Sequence, residues 1–222
     1  MTNTVDLRLY ALVDPDTSGG HALPDLAAKV VAGGATLVQL RDKTGTTRRM
    51  IEEARGIHAA LAGSGVPLLI NDRVDVALAS GAEGVHIGWD DMEAADARRL
   101  LGPKAIIGLS INSAERARTA PLELLDYVAI GAVFATMSKD NPNPPRGVAG
   151  AAELLRIVRE RSPELPVGAI AGIDETNAAD VMAAGFDGVA VISALSKRPD
   201  PAAAARTLRA AVEAGLKRRG GS

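Results

Sequence analysis

Short apolar runs recur along the chain: RLYALVD (8–14), TLVQLRD (36–42), PLLINDR (67–73), GVHIG (84–88), AIIGLS (105–110), YVAIGAV (127–133), VGAIAGI (167–173) and GVAVISA (188–194). Between them apolar and polar residues mix at three-to-four spacing, as in LPDLAAKVVAGG, TRRMIEEARGIHAALAGSG, VDVALASG, EAADARRLLG, SAERARTA, AAELLRIVRERS and ETNAADVMAAG. The runs predict strands and the mixed segments predict helices. Strands that alternate with helices imply βαβ units and a parallel sheet. Eight such units in 222 residues predict a single (β/α)8 TIM barrel, for which about 250 residues is typical. An open doubly wound sheet is the competing α/β arrangement.

An internal echo supports repeated units. AGGATLVQL, ASGAEGVHI and AAGFDGVAV each run from a helix end through Gly and a short turn into a strand. Gly34, Gly81 and Gly185 stand where a helix ends in left-handed backbone. No linker or low-complexity stretch divides the chain, so 1–222 is expected to form one domain, with 216–222 a frayed tail. The connection after the sixth strand, ATMSKDNPNPPRGVAG, is long and carries three Pro. In a barrel it lies on the catalytic face, and its length fits a lid.

Composition narrows the function classes. The chain has 25 Lys+Arg against 27 Asp+Glu, a formal net charge of -2, without the basic excess of a general nucleic-acid binder. Aromatics are 2%, which leaves few platforms for stacking bases. With 0 Cys there is no disulfide framework, thiolate zinc site or Cys nucleophile. The three His, at 21, 58 and 86, are too scattered for a His-rich metal site. No apolar run nears the roughly 18 residues of a membrane helix, and no signal peptide is visible in MTNTVDLRLY. A soluble cytoplasmic protein is expected, with no nucleic-acid or membrane partner; the oligomeric state stays open.

Candidate chemistry gathers at strand ends. Gln39, Arg41 and Lys43 share one face of the second strand, with Leu37; Val38 and Leu40 face the helices. A guanidinium beside an ammonium at the barrel mouth suits a phosphate or diphosphate. The plain alternative is an inward Arg paired with a barrel carboxylate. Asn71 and Asp72 end the third strand and Asp90 and Asp91 follow the fourth. Asp72 with Asp90 or Asp91 would give Mg2+ two hard oxygen ligands, unless the second pair caps the next helix. Ser110 ends the fifth strand as a hydrogen-bond donor with no adjacent His to activate it, whereas Ser113 fits a helix cap. His86 reads as a satisfied barrel residue. Gly172, Ile192 and Ser193 lie after the seventh and eighth strands, where barrels often bind phosphate through backbone amides. Tight packing alone is the alternative there.

Seven strings in order, GGATLVQLRDK, LLINDRVDVAL, GAEGVHIGWDD, IIGLS, DYVAIGAVFATMSKD, IAGI and DGVAVISAL, resemble the thiamine-phosphate synthase (thiamin phosphate pyrophosphorylase) family from about residue 8 to 215. The resemblance implies a TIM-barrel transferase of thiamine biosynthesis. Such an enzyme joins 4-amino-5-hydroxymethyl-2-methylpyrimidine diphosphate to a thiazole phosphate, with Mg2+, and releases pyrophosphate. It implies that Gln39, Arg41 and Lys43 hold the pyrimidine diphosphate, with Asn71 beside them, and that Asp72 and Asp91, not Asp90, bind the metal. Ser110 and Lys139 would contact the diphosphate. Thr136 and Ser138, the latter in place of a more usual Thr, would serve the thiazole phosphate with Gly172, Ile192 and Ser193. Three positions depart from the family pattern: Trp89 in place of Gln, Gly131-Ala132 in place of Gly-Pro, and Ala171 in place of Gly.

The chemistry suits these residues. A diphosphate leaves a benzylic-like carbon and the thiazole nitrogen is already nucleophilic, so positioning and electrostatic stabilisation by Mg2+, Arg41, Lys43 and Lys139 suffice. Repulsion among Arg41, Lys43, Lys139 and Arg146 is expected to hold the strand-six loop open until a diphosphate arrives. A thiazole-phosphate tautomerase or non-catalytic thiazole-phosphate-binding paralogue is the alternative. Tautomerase paralogues are expected to carry a His near the strand-five Ser, where this chain has Asn112.

Overall fold

A computed structural model describes residues 5–136 and 144–220. Eight parallel strands close into a barrel in sequence order: β1 Leu9–Val13, β2 Leu37–Leu40, β3 Leu68–Asn71, β4 Gly84–Ile87, β5 Ile106–Ile111, β6 Tyr127–Ile130, β7 Val167–Ile170 and β8 Gly188–Val191. Around them run α1 Leu23–Ala32, α2 Thr47–Ala60, α3 Val74–Ser80, α4 Ala94–Leu101, α5 Ala114–Thr119, α6 Gly147–Arg161, α7 Ala178–Ala183, the single turn α8 Ser193–Ser196, and α9 Pro201–Gly220. All eight predicted strands are present, and closure of β8 onto β1 excludes the open sheet. No helix among the described residues is long and apolar enough to cross a membrane.

The period-2 pattern of each strand divides the core in two. Tyr10, Leu12, Leu37, Leu69, Ile106, Tyr127, Ala190 and Ile192 pack inside the barrel. Leu9, Ala11, Val38, Leu40, Leu68, Ile70, Val85 and Ile107 pack outward against the helices. The interior narrows to fit its Tyr residues: a Cβ on Gly108 would sit 2.0 Å from the Tyr127 ring. Gly34, Gly81 and Gly185 all have positive φ, as the echo predicts.

That echo also marks a repeated clamp at the N-terminal end of the barrel. The residue just before each even strand accepts, through its side chain, an amide at the start of the preceding strand. Thr36 Oγ1 takes Leu9 N (3.1 Å), Glu83 Oε2 takes Leu68 N (2.8 Å), Asp126 Oδ2 takes Ile107 N (2.9 Å) and Asp187 Oδ2 takes Val167 N (2.8 Å). Each returns its own amide to the carbonyl of that partner. Arg98 braces Asp126 at 2.7 Å and Arg159 braces Asp187.

Two expectations about the periphery change. The tail predicted to fray is helical through Gly220, held where Arg218 reaches Asp180 and Arg219 reaches the carbonyls of Gly185 and Phe186. Helix α9 as a whole has little contrast between its faces, because Ala fills many of its positions, so periodicity does not reveal it. Neither Asp90 nor Asp91 caps α4; the cap position is Glu93, without a side-chain bond.

Candidate active site

The C-terminal ends of the strands surround a mouth with two lobes. The first, about 190 Å³, is lined by Gln39, Arg41, Lys43, Asn71, Asp72, Asp91 and Ser110, with Trp89 and Arg116 at its rim. The second, about 100 Å³, is lined by Ser110, Thr136, Gly172, Ile192 and Ser193. Ser110, Asn112, Ile170 and Ile192 border both. The fold therefore brings together every candidate site residue among those described. Ser138 and Lys139 lie outside the described residues, so the lid expectation for that loop rests on the sequence.

The first lobe is a cluster of opposed charges. Arg41, at the end of β2, pairs with the buried Asp14 beyond β1, which is the plain alternative the sequence left open for it. Lys43 pairs with Asp72. The expected mutual repulsion of the cations is thus replaced, for Arg41 and Lys43, by carboxylates on neighbouring strand ends. Burial, followed by the nearby Asp91 carboxylate, pushes the Asp72 carboxyl above the ordinary value, while Lys43 opposes that rise. Asp72 also sits at φ 63, its amide donating to the His86 carbonyl at 2.8 Å. Left-handed backbone is costly for a residue with a Cβ, so the turn after β3 sacrifices local stability to aim this carboxylate. Asp91 Oδ2 accepts the Gly88 amide at 2.7 Å, which fixes the second carboxylate beside the first. Asp90 and Asp91 are both exposed; what distinguishes Asp91 is its bond from the Gly88 amide and its closeness to Asp72. Two hard oxygen donors crowded against each other are a donor set that fits a divalent cation such as Mg2+. Among the described residues no group of three or more His, Cys, Asp or Glu could hold a metal ion, so a cation here would take its remaining ligands from substrate and water.

Beneath the mouth lies a polar chain that sequence reasoning missed. Gln39 donates to the Tyr10 hydroxyl. Tyr10 and Tyr127 hydroxyls meet at 2.8 Å, Tyr127 reaches His86 Nδ1 at 2.8 Å, and His86 Nε2 meets Ser110 Oγ at 2.9 Å. His86 is a satisfied barrel residue, as expected, but Ser110 does have a histidine neighbour. Strands β4 and β5 pair with His86 opposite Gly108, which puts Ser110 next to the imidazole although 24 residues separate them. Burial raises both tyrosine pKa values, so both hydroxyls stay protonated. A signal was present: the chain has two Tyr, and both fall at inward positions of strands.

The second lobe is built by strained backbone. Ala132 and Ala171 have φ of 60 and 94, and Gly172 has φ 65 with a Cβ position 2.4 Å from the Ala135 carbonyl. Only glycine fits at 172, because β7 turns there against the strand-six loop. Ala171 stands where the family resemblance expects glycine, and it adopts the glycine conformation. At the outer rim the Arg116 guanidinium lies 5.1 Å from the Trp89 ring centroid and donates to Asn112 Oδ1 at 2.9 Å. Ser113 caps α5 by accepting the Arg116 amide at 3.1 Å, as predicted.

Comparison with known proteins agrees with this geometry. A family model described as thiamine monophosphate synthase matches residues 9–195. The chain belongs to the thiamine monophosphate synthase family. A thiamine-phosphate synthase of Agrobacterium fabrum is 54% identical over 220 residues, covering 98% of this chain and 99% of that protein. One from Chloroflexus aurantiacus is 45% identical over 212 residues, covering 96% and 95%. Among solved structures, a thiamine phosphate pyrophosphorylase from Pyrococcus furiosus superposes with a TM-score of 0.82 at 34% identity, covering 96% of this chain and 98% of that one. A 3-hexulose-6-phosphate synthase, at TM-score 0.63 and 18% identity, shares the fold alone.

Proposed function

We propose that this family member is a transferase that joins 4-amino-5-hydroxymethyl-2-methylpyrimidine diphosphate to a thiazole phosphate and releases pyrophosphate, with Mg2+ at Asp72 and Asp91. The observation that carries the reading is the two-lobed mouth: a carboxylate–cation lobe suited to a metal diphosphate opens onto a lobe of glycine backbone and hydroxyls suited to a phosphate. In the reaction the C–O bond to the diphosphate breaks and its electron pair leaves with pyrophosphate. The thiazole nitrogen lone pair forms the new C–N bond. Mg2+, when bound, neutralises charge on the diphosphate oxygens.

The chain's own residues supply the rest. Arg41 and Lys43 exchange or share their carboxylate partners with the diphosphate, and their charge stabilises the departing oxygens. Gln39 Oε1 is buried without a partner among the described residues, an acceptor suited to the amino group of an aminopyrimidine. Asn71 borders the same lobe. Ser110, at the junction of the lobes, offers a hydroxyl oriented by His86. Thr136, Gly172, Ile192 and Ser193 hold the thiazole phosphate, and this places the two reacting atoms in one mouth. Lys139 and Ser138, outside the described residues, are expected from the family resemblance to serve the diphosphate and the thiazole phosphate respectively. The test is to incubate purified protein with both substrates, with and without Mg2+. Thiamine phosphate and pyrophosphate should form together only with Mg2+ present; failure to form either with both substrates and metal overturns the reading.

A further inference from the structure

Arg116 is a cation of the mouth to which no role has been given. It lies in the first turn of α5, half-buried, and lines the same lobe as Lys43, Asp72 and Asp91. Arg41 and Lys43 each have a carboxylate partner. Arg116 has no ion pair among the described residues. Its guanidinium is held instead by neutral groups: the Trp89 ring at 5.1 Å and the Asn112 side-chain oxygen at 2.9 Å. Asn112 also accepts Arg146 on its backbone carbonyl, so a second guanidinium from the root of the strand-six loop anchors the same residue. One of Arg116's five side-chain donors is used by Asn112, which leaves a fork suited to phosphate oxygens. A guanidinium positioned in advance by an aromatic plate loses less entropy when it binds an anion.

We propose that Arg116 is a further ligand of the diphosphate group, and that Trp89 is the residue that positions it. This rests on the transferase reading above and adds to it a specificity-determining pair. Trp89, which departs from the Gln of the family pattern, then acts by positioning Arg116. It holds charge on the metal lobe from beyond β4 and β5, whereas Arg41 and Lys43 come from the end of β2.

The chain has 1 Trp, so its emission reports on this pair. Inorganic pyrophosphate with Mg2+ is titrated into the wild type, Arg116→Gln and Arg116→Lys, following tryptophan fluorescence and, in parallel, calorimetry. The wild type should show a saturable change in emission. Arg116→Gln should bind about tenfold more weakly by calorimetry, with Arg116→Lys in between, because it keeps the charge and loses the fork. Circular dichroism verifies folding, and the Lys variant carries the test if the Gln variant does not fold. Unchanged affinity in the folded variants, with the wild type forming thiamine phosphate, overturns the role of Arg116 and leaves the transferase reading intact. A wild type that neither binds pyrophosphate nor forms thiamine phosphate overturns both.

Discussion

The two ends of the barrel solve opposite problems with the same strands. At the N-terminal end, Glu83, Asp126 and Asp187 each accept a strand amide and face a basic partner: His58, Arg98 and Arg159. Arg98 also donates to the carbonyls of Ala105 and Leu124 at 2.6 and 2.9 Å, so the Asp126 clamp closes a small network. At the C-terminal end the three non-glycine residues with positive φ among those described, Asp72, Ala132 and Ala171, all fall at strand ends or just beyond. Two carboxylates crowd each other there, and Gln39 keeps a buried acceptor unpartnered. One end spends its polar groups on stability. The other holds strain and unmet bonding capacity for ligands, as functional sites commonly do.

Substitutions at the two ends should therefore separate activity from stability. The largest effect is expected for Asp72→Asn. Loss of the charge should lower turnover by about a hundredfold or more, while the protein becomes more stable. The sign follows from the raised Asp72 carboxyl. Its ionised form is penalised in the folded state above the ordinary value of 3.8, and that penalty vanishes once pH falls below it. The gain from Asn should thus be present at pH 7 and absent near pH 3, read by thermal melts at both. Asn also tolerates left-handed backbone. A less stable Asp72→Asn at pH 7 would break the comparison.

Asp126→Ala at the opposite end should do the reverse. It removes a strand clamp and leaves Arg98 partly buried without its carboxylate, costing about 3 kcal/mol, or roughly 10 °C in Tm. Turnover per folded molecule should stay within about twofold of wild type, measured at 20 °C where the variant is folded. Between the two ends, Tyr127→Phe cuts the chain from Tyr10 to His86. It should cost about 1–2 kcal/mol in urea unfolding and also reduce turnover, since Ser110 hangs from the same His86. The smallest effect is expected at Ala171→Gly. Relief of left-handed strain, partly offset by chain entropy, should raise stability by about 0.5–1 kcal/mol, seen as a Tm increase of a few degrees.

The short apolar runs and their helical spacers made the eight strands legible, because each strand is buried on both faces and ends in Gly or polar punctuation. The rim residues were legible for the same reason: Gln39, Arg41 and Lys43 follow one face of one strand. The pairing between strands was not. That His86 would touch Ser110, that Arg41 would meet Asp14, or that Trp89 would carry Arg116 depends on register and closure, which no local pattern encodes. The clamps of Thr36, Glu83, Asp126 and Asp187 were half visible. Thr36, Glu83 and Asp187 lie within the three strings of the internal echo and Asp126 does not, and the hydrogen bonds of all four cross to the preceding strand. Helix α9 escaped because its alanines give no polar contrast.

The most direct test of the account is steady-state thiamine phosphate formation by Asp91→Asn and Asp90→Asn, side by side at saturating Mg2+. Asp90 and Asp91 are both exposed and line the same lobe, but it is Asp91 that the Gly88 amide fixes and that crowds Asp72. Asp91→Asn should lose about a hundredfold in turnover and Asp90→Asn no more than about threefold. Equal losses in the two variants would contradict the assignment of Asp72 and Asp91 as the metal-holding pair.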